Sequence, residues 1–542
     1  MSVKNYGIYL SYPPGVDLRH EGLGRYLAAF LKGTSGRDDV HFVLVCPSWS
    51  KKSLEELFLS EGVQKNRFEV VSPNKEPLIL KLYEAYLRYK KRAKKPTIID
   101  RVLGAFSWGY KKITDYLEAR LIAAHSVSSL IPLLLIGVFG ALLFLLCSPL
   151  LVPVILLVAL SKMTFFVKRV TRPLSRRIFR LKAVLSAPKE DALILRLYKG
   201  MESVESKRML ELIDSLSHVL AWYSPTAFWP AFNDIKAPKL MCIPDVVLTD
   251  FPVGFSNVGG ERFLRVFGEI EETIYAGQNY VTYSGAVKWD TLVDRYAINP
   301  SKVSVIHHAP NSLNKWVEVT GGVNPEEASH SLCLDLFRKA LLKSVDSKHL
   351  ATFSNPEAGF LFYASQIRPN KNVLSLLRAY EYLLRSKFIG HKLILTGNPN
   401  GMADVIKFIK DNFLENDVLC LHSLTVQELA ACYKLADLAV NPSLSEGGCP
   451  FTFTEALSVG TPVAMARIAV AEEVLNDDEV QELTFFDPYD WKDMAKRIQL
   501  SLHNREEVLA VQTQFYKKLS LRSWTDVVNE HVDVLDSISS RD

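Results

Sequence analysis

The chain has 542 residues and a net charge of +5, enough for two or three domains of about 150 residues each. Its seven cysteines (Cys46, Cys147, Cys242, Cys333, Cys420, Cys432 and Cys449) are odd in number and form no CxxC pair, which argues against a disulfide framework or a zinc ribbon. The net charge hides a local imbalance. Ten basic and three acidic residues lie between Arg88 and Arg120, and eight basic and no acidic residues between Lys162 and Lys182, so the remainder carries about −10. Basic charge confined to two blocks points to a membrane surface and away from nucleic acid.

In chain order, GIYLSYP reads as a strand and EGLGRYLAAFLKG as a loop leading into a helix. VHFVLVCPS, SLEELFLSEG and RFEVVSP follow as strand, helix and strand; because MSVKNYGIYLSYP runs directly into the first strand, no cleavable signal peptide is expected. From Leu121 to Ser161 there is no Asp, Glu, Lys or Arg. Such a run exceeds the ~20 apolar residues of one membrane helix and is short for two. Pro149 and Pro153 interrupt it, so a hairpin with both ends on one side of the membrane is expected over 130–160. Strand patterns return at SHVLAWYSP, KLMCIPDVV and YVTYSGAV. KWDTLVDRYAI reads as a helix and KVSVIHHAP as a strand, and residues 312–355 read as a hinge. A second alternating unit begins near Ala358: GFLFYAS, HKLILTGNP, VLCLHS, ADLAVNPS and TPVAMAR are strands separated by helical segments. Alternation of this kind is the mark of parallel sheets covered by helices on both faces.

Three loops carry candidate chemistry. In the second unit, NPSLSEGGCPFTFTEALSVGTPV (Asn441 to Val463) runs from a strand through a Gly-rich loop into a helix bearing Thr452, Thr454 and Glu455. Glycines let a backbone approach a ligand closely, and a helix N-terminus offers free N–H groups to a phosphate. The backbone of Gly447, Gly448 and Cys449 is expected to line the same pocket. Upstream, YASQIRPNKNV places Arg368 and Lys371 where a strand gives way to a helix, a pattern suited to a diphosphate clamp. In the first unit, PPGVDLRHEGLGRY puts Gly22, Gly24 and Arg25 between the first strand and its helix.

The Asn441–Val463 segment resembles the donor-binding signature of retaining GT-B glycosyltransferases of glycosyltransferase family 4. The resemblance runs well over 355–530, moderately over 205–310 and weakly over 5–75. It implies that Glu455 binds ribose hydroxyls, that Glu446 touches the transferred sugar, and that Lys371 matches the family lysine. It also implies that the first loop, with Arg25, lies at the cleft. Two features depart from the family. The glutamates are separated by eight residues where the family has seven, and Gln366 stands where it has an arginine, leaving Arg368 as the replacement. CIPDVVLTDFP matches a family segment ending in His-Asp, but Pro244 replaces the histidine and only Asp245 matches; His307 and His308 are alternative cleft residues. SLRSWTDVVNEHVDVL resembles the family's closing helix, with Trp524 as a packing residue.

The expected architecture is therefore α/β, of GT-B type, with two Rossmann-like domains facing each other across a cleft. Residues 1–85 and 200–330 form the acceptor domain, 350–520 the donor domain, and 521–542 the closing helix. Residues 86–199 form an insertion in the first domain, with the hydrophobic hairpin at its centre. The resemblance implies metal-independent transfer of a hexose, such as mannose or glucose, from a UDP- or GDP-linked donor, with no cofactor. Glu446 and Glu455 are the expected catalytic pair. The membrane segment suggests a glycan or lipid-linked acceptor in surface polysaccharide synthesis at the cytoplasmic face of the membrane. Two other readings remain open: an epimerase or phosphorylase on the same fold, and an inactive membrane scaffold.

Overall fold

The computed structural model describes residues 3–84 and 193–540, apart from 17, 19–21, 83, 260, 322, 345–352, 354–357 and 449. The first sheet has seven strands: β1 (Lys4–Tyr9), β2 (Val40–Val45), β3 (Phe68–Val71), β4 (Val219–Ser224), β5 (Lys239–Cys242), β6 (Asn279–Thr282) and β7 (Val303–Val305). Their order is β3-β2-β1-β4-β5-β6-β7, and every pairing is parallel. The second sheet has six: β8 (Phe360–Tyr363), β9 (Lys392–Thr396), β10 (Val418–Leu421), β11 (Leu438–Asn441), β12 (Val463–Ala466) and β13 (Phe485–Phe486). It repeats the same winding, β10-β9-β8-β11-β12-β13, again all parallel. In each sheet the order reverses beside the first strand (β1 or β8), and doubly wound sheets bind ligands at that point. Both sheets are built of short, mostly buried apolar strands, as expected of parallel strands covered on two faces.

Helices among the described residues include α1 (Gly22–Gly33), α2 (Leu193–Ser215), α3 (Glu261–Tyr275), α4 (Pro325–Ser344), α5 (Val373–Ser386), α6 (Val426–Leu435), α7 (Phe451–Ser458), α8 (Arg505–Leu519) and α9 (Trp524–Ser539). Residues expected to divide between the first domain and a hinge instead join the second domain's core. Leu313, Val317 and, from α4, Cys333, Phe337 and Leu341 are buried there. The tie is the buried Glu428 of α6, which accepts from Lys343 of α4 at 2.6 Å and closes a capping box with Thr425. The segment expected to be a helix after β6 is a single π-helical stretch, Val287–Val293.

The chain then crosses back. Gln512 of α8 hydrogen-bonds both the N–H and the C=O of Val463 in the second sheet, at 2.9 and 2.7 Å. Helix α9 buries Val527, Val528, Val532 and Leu535 in the core of the first domain, against α1. The expected hairpin over 130–160 lies outside the described residues. Among the described residues no helix is long and apolar enough to cross a membrane.

Candidate functional site

A cleft of about 510 Å³ opens between the domains at the C-terminal ends of both sheets. The loop after β8 supplies Arg368 and Lys371, the loop after β11 supplies Glu446, and α7 supplies Thr452 and Glu455. The first domain contributes Gly22 and Arg25 at the start of α1. Side chains from positions more than 400 residues apart in the sequence thus share one cavity.

Two ion pairs organise it. Lys371 Nζ donates to Glu446 Oε1 at 2.7 Å and lies 3.3 Å from Ser443 Oγ; both members of this pair are about one-fifth exposed. Across the cleft, Arg25 Nη2 of the first domain donates to Glu455 Oε1 of the second. Glu455 is 2% exposed, and the Asn311 amide lies 3.5 Å from the same oxygen. Burial lowers the pKa of the Arg25 guanidinium from its ordinary value. A carboxylate this deeply buried is tolerated because a cation and hydrogen bonds compensate it. Arg368 is exposed and hydrogen-bonds the Gln366 side chain, so the expected clamp pair divides: Lys371 is engaged with Glu446, while Arg368 faces the open cavity.

The glycines act otherwise than expected. A Cβ on Gly447 would lie 2.1 Å from the Pro244 carbonyl oxygen, and one on Gly448 would lie 2.7 Å from His308 and 2.8 Å from Tyr283 Cβ. These two residues press against the first domain and do not line the cavity: the close backbone approach is between domains. Cys449 lies outside the described residues. In the first loop, Gly22 borders open space, whereas a Cβ on Gly24 would meet the Leu18 carbonyl at 2.0 Å, so Gly24 packs the loop and does not face the cleft.

Asp245 follows β5 beside this junction. Burial pushes its carboxyl up to about 6, partly offset by the positive charge of Lys371 and reinforced by Glu446 and Asp250. His308 does not reach the cavity: its ring is held among Tyr26, Tyr283, Phe451 and Trp524. Burial lowers its pKa to about 3, leaving a neutral imidazole whose Nδ1 has no partner among the described residues. His307 points outward, with Nδ1 3.0 Å from the Tyr283 carbonyl, while its own carbonyl accepts from Arg522 at 2.9 Å.

Three contributors escaped the sequence reading. Glu473, on the short Ala469–Val474 helix, accepts from the N–H groups of Gly285 and Ala286 at 2.7 and 3.0 Å and so caps a first-domain helix from the second domain. Asn311 braces Thr454 and Glu455, and Ser445 lies 3.5 Å from Asp250. Each acts across the domain junction, and no local pattern marks such a partner.

Residues 346–518 match the protein family described as Glycosyl transferases group 1. The match spans the whole second sheet, and the second domain holds four of the five charged side chains of the cleft. Over 121 residues the chain is 31% identical to O-antigen chain mannosyltransferase B of Escherichia coli, covering 22% of this chain and 31% of that relative's length. Among solved structures, a glycosyltransferase of Rickettsia africae superposes with a TM-score of 0.51 at 11% identity, covering 99% of each chain. HepE of Anabaena, solved with UDP-glucose, gives 0.51 at 12% identity over 98% of this chain and 99% of that one. Sucrose-phosphate synthase of Thermosynechococcus elongatus gives 0.52 at 10%, over 99% and 100%. At such identities the likeness concerns the fold, and two parallel sheets in this arrangement are consistent with GT-B.

Proposed function

We propose that this chain is a retaining, metal-independent glycosyltransferase of family 4 that moves a hexose from a UDP- or GDP-linked donor to a glycan or lipid-linked acceptor. The observation that carries the reading is the shared cleft of Arg25, Arg368, Lys371, Glu446 and Glu455. The match of residues 346–518 supports the transferase class, and the relative's name, a mannosyltransferase, favours mannose among the hexoses. In this reading the donor diphosphate lies against Lys371 and Arg368, and Glu455 accepts from the ribose hydroxyls. Glu446 faces the transferred sugar once the diphosphate draws Lys371 away. Cations fixed beside the leaving diphosphate stabilise the charge that develops as the glycosidic bond breaks.

The acceptor is proposed to be membrane-bound and the enzyme to work at the cytoplasmic face. This rests on the sequence: an uncharged run from Leu121 to Ser161 between two basic blocks. A panel of labelled UDP- and GDP-glucose and -mannose, incubated with membranes and with or without a chelator, tests the proposal. Transfer of label with retained anomeric configuration is expected. Epimerised donor would replace the reading with an epimerase. Neither transfer nor donor hydrolysis would favour the inactive scaffold, for which the longer glutamate loop and Pro244 speak.

A further inference from the structure

The glutamate assigned to the donor's ribose already has a partner of its own. Its Oε1 accepts from Arg25, with the Asn311 amide at 3.5 Å. A ribose presents two neighbouring hydroxyl donors and needs carboxylate lone pairs to receive them. A ribose hydroxyl that takes Oε1, the oxygen already bonded to Arg25, therefore competes with the guanidinium for it. The displaced guanidinium is three-quarters buried and cannot stay without an anion. Lys371 and Arg368 line the same cavity, so an anionic group drawn to them comes within the space that Arg25 borders.

We propose that Arg25 is a positioning residue of the donor site that exchanges partners, leaving Glu455 for the phosphates when a nucleoside diphosphate enters. The inference rests on the reading of this cleft as a nucleotide-sugar site and adds to it a coupling between two halves of the ligand. Ribose alone evicts Arg25 and gives it nothing in return. Ribose and diphosphate together evict it and re-pair it. The site thereby favours nucleoside diphosphates over nucleosides by more than phosphate contacts with Lys371 and Arg368 supply. Because Arg25 belongs to α1 and its partners to the second domain, the exchange keeps the domains bridged in both states.

The experiment measures dissociation constants of uridine, UDP, guanosine and GDP by calorimetry for the full chain, for Arg25→Gln and for Arg25→Lys. The preference for diphosphate over nucleoside is the readout, because a merely structural defect moves both ligands alike. In Arg25→Gln, nucleoside binding is expected to tighten, diphosphate binding to weaken, and the preference to shrink about tenfold or more; Arg25→Lys, which keeps the charge, is expected to shrink it less, by about threefold. Should Arg25→Gln fail to give a folded protein, Arg25→Lys is compared alone, and its shorter, non-planar cation is expected to lower the preference about threefold. A preference unchanged in the variants that fold overturns the exchange while leaving the donor site in place. A wild-type chain that binds neither UDP nor GDP overturns the donor reading itself, and the exchange with it.

Discussion

Gly447 is where the second domain's loop meets the first domain most tightly, and replacing it with alanine makes that contact impossible as it stands. The new methyl would lie 2.1 Å from the Pro244 carbonyl oxygen and 2.6 Å from its carbon, where ordinary contacts begin near 3.4 Å. Both atoms are backbone and cannot swing aside, so loop and strand end must part by more than an ångström. Overpacking of this kind costs about 1–3 kcal/mol. At ~1.4 kcal/mol per tenfold, the docked arrangement loses about 5- to 150-fold in population relative to an opened one. On the proposed function, transfer uses groups from both domains and is expected to fall by a similar factor. Nucleoside diphosphate binding, proposed to use second-domain residues for the most part, is expected to change less. Small-angle scattering with and without UDP or GDP reports the opening, and donor turnover reports the chemistry. Gly268→Ala is the control. It lies inside α3, its Cβ would meet nothing within 4 Å, and the exchange should stabilise the helix by about 0.5–1 kcal/mol. A Gly447→Ala protein with wild-type scattering and turnover would refute the argument that this glycine sets the domain approach.

Glu455→Gln, which keeps the side-chain shape, and Glu446→Ala are each expected to lower transfer by about 10²-fold or more, read with labelled donor; full activity in both would remove the assignment of the cleft. Lys371→Ala should weaken UDP or GDP binding and Arg368→Ala should do so too; if Arg368→Ala binds normally and Gln366→Ala does not, the cationic role has been given to the wrong residue. Asp245 links the site to pH. Its carboxyl is raised from an ordinary 3.8 to about 6, so between those values the folded chain keeps a proton that the unfolded chain has lost. The stability it confers is present in full below about pH 4 and declines as pH rises through 6. Asp245→Asn should therefore be more stable than wild type by about 1–3 kcal/mol at pH 7 and indistinguishable at pH 4, by urea denaturation. A difference that does not change with pH would show that burial does not hold this carboxyl neutral.

Much of the fold is written in local periodicity. VHFVLVCPS, GFLFYAS and HKLILTGNP are short apolar runs bounded by turn residues that each contain a strand of the two sheets, and GIYLSYP holds the end of the first strand, which starts three residues earlier. What periodicity does not reveal is which partner an element packs against. Residues 325–344 read as part of a hinge, although Cys333, Phe337, Ala340 and Leu341 stand at helical spacing; Lys343 finds the buried Glu428, 85 residues later, and fixes the helix in the second core. The segment 261–275 shows the same failure. Phe263, Ile270 and Ile274 stand at helical spacing and are buried, a pattern present in the sequence but overlooked beside the strands flanking it.

The site shows a subtler limit. Sequence identifies Glu446, Glu455, Lys371 and Arg25 as separate candidates, because residue type and position beside a strand end are local properties. It does not show that they form two crossed ion pairs, since Arg25 and Glu455 are 430 residues apart. The Gly-Gly pair shows why the distinction matters. A glycine announces that something comes close, but the sequence does not say what, and here the visitor is Pro244, Tyr283 and His308 of the facing domain. The extra residue between the glutamates reads differently in that light. Glu446 is held by Lys371 from its own domain and Glu455 by Arg25 from the other, so each carboxylate is positioned by its own cation. Spacing along the loop need not be conserved for two groups that are held from different walls of the cleft.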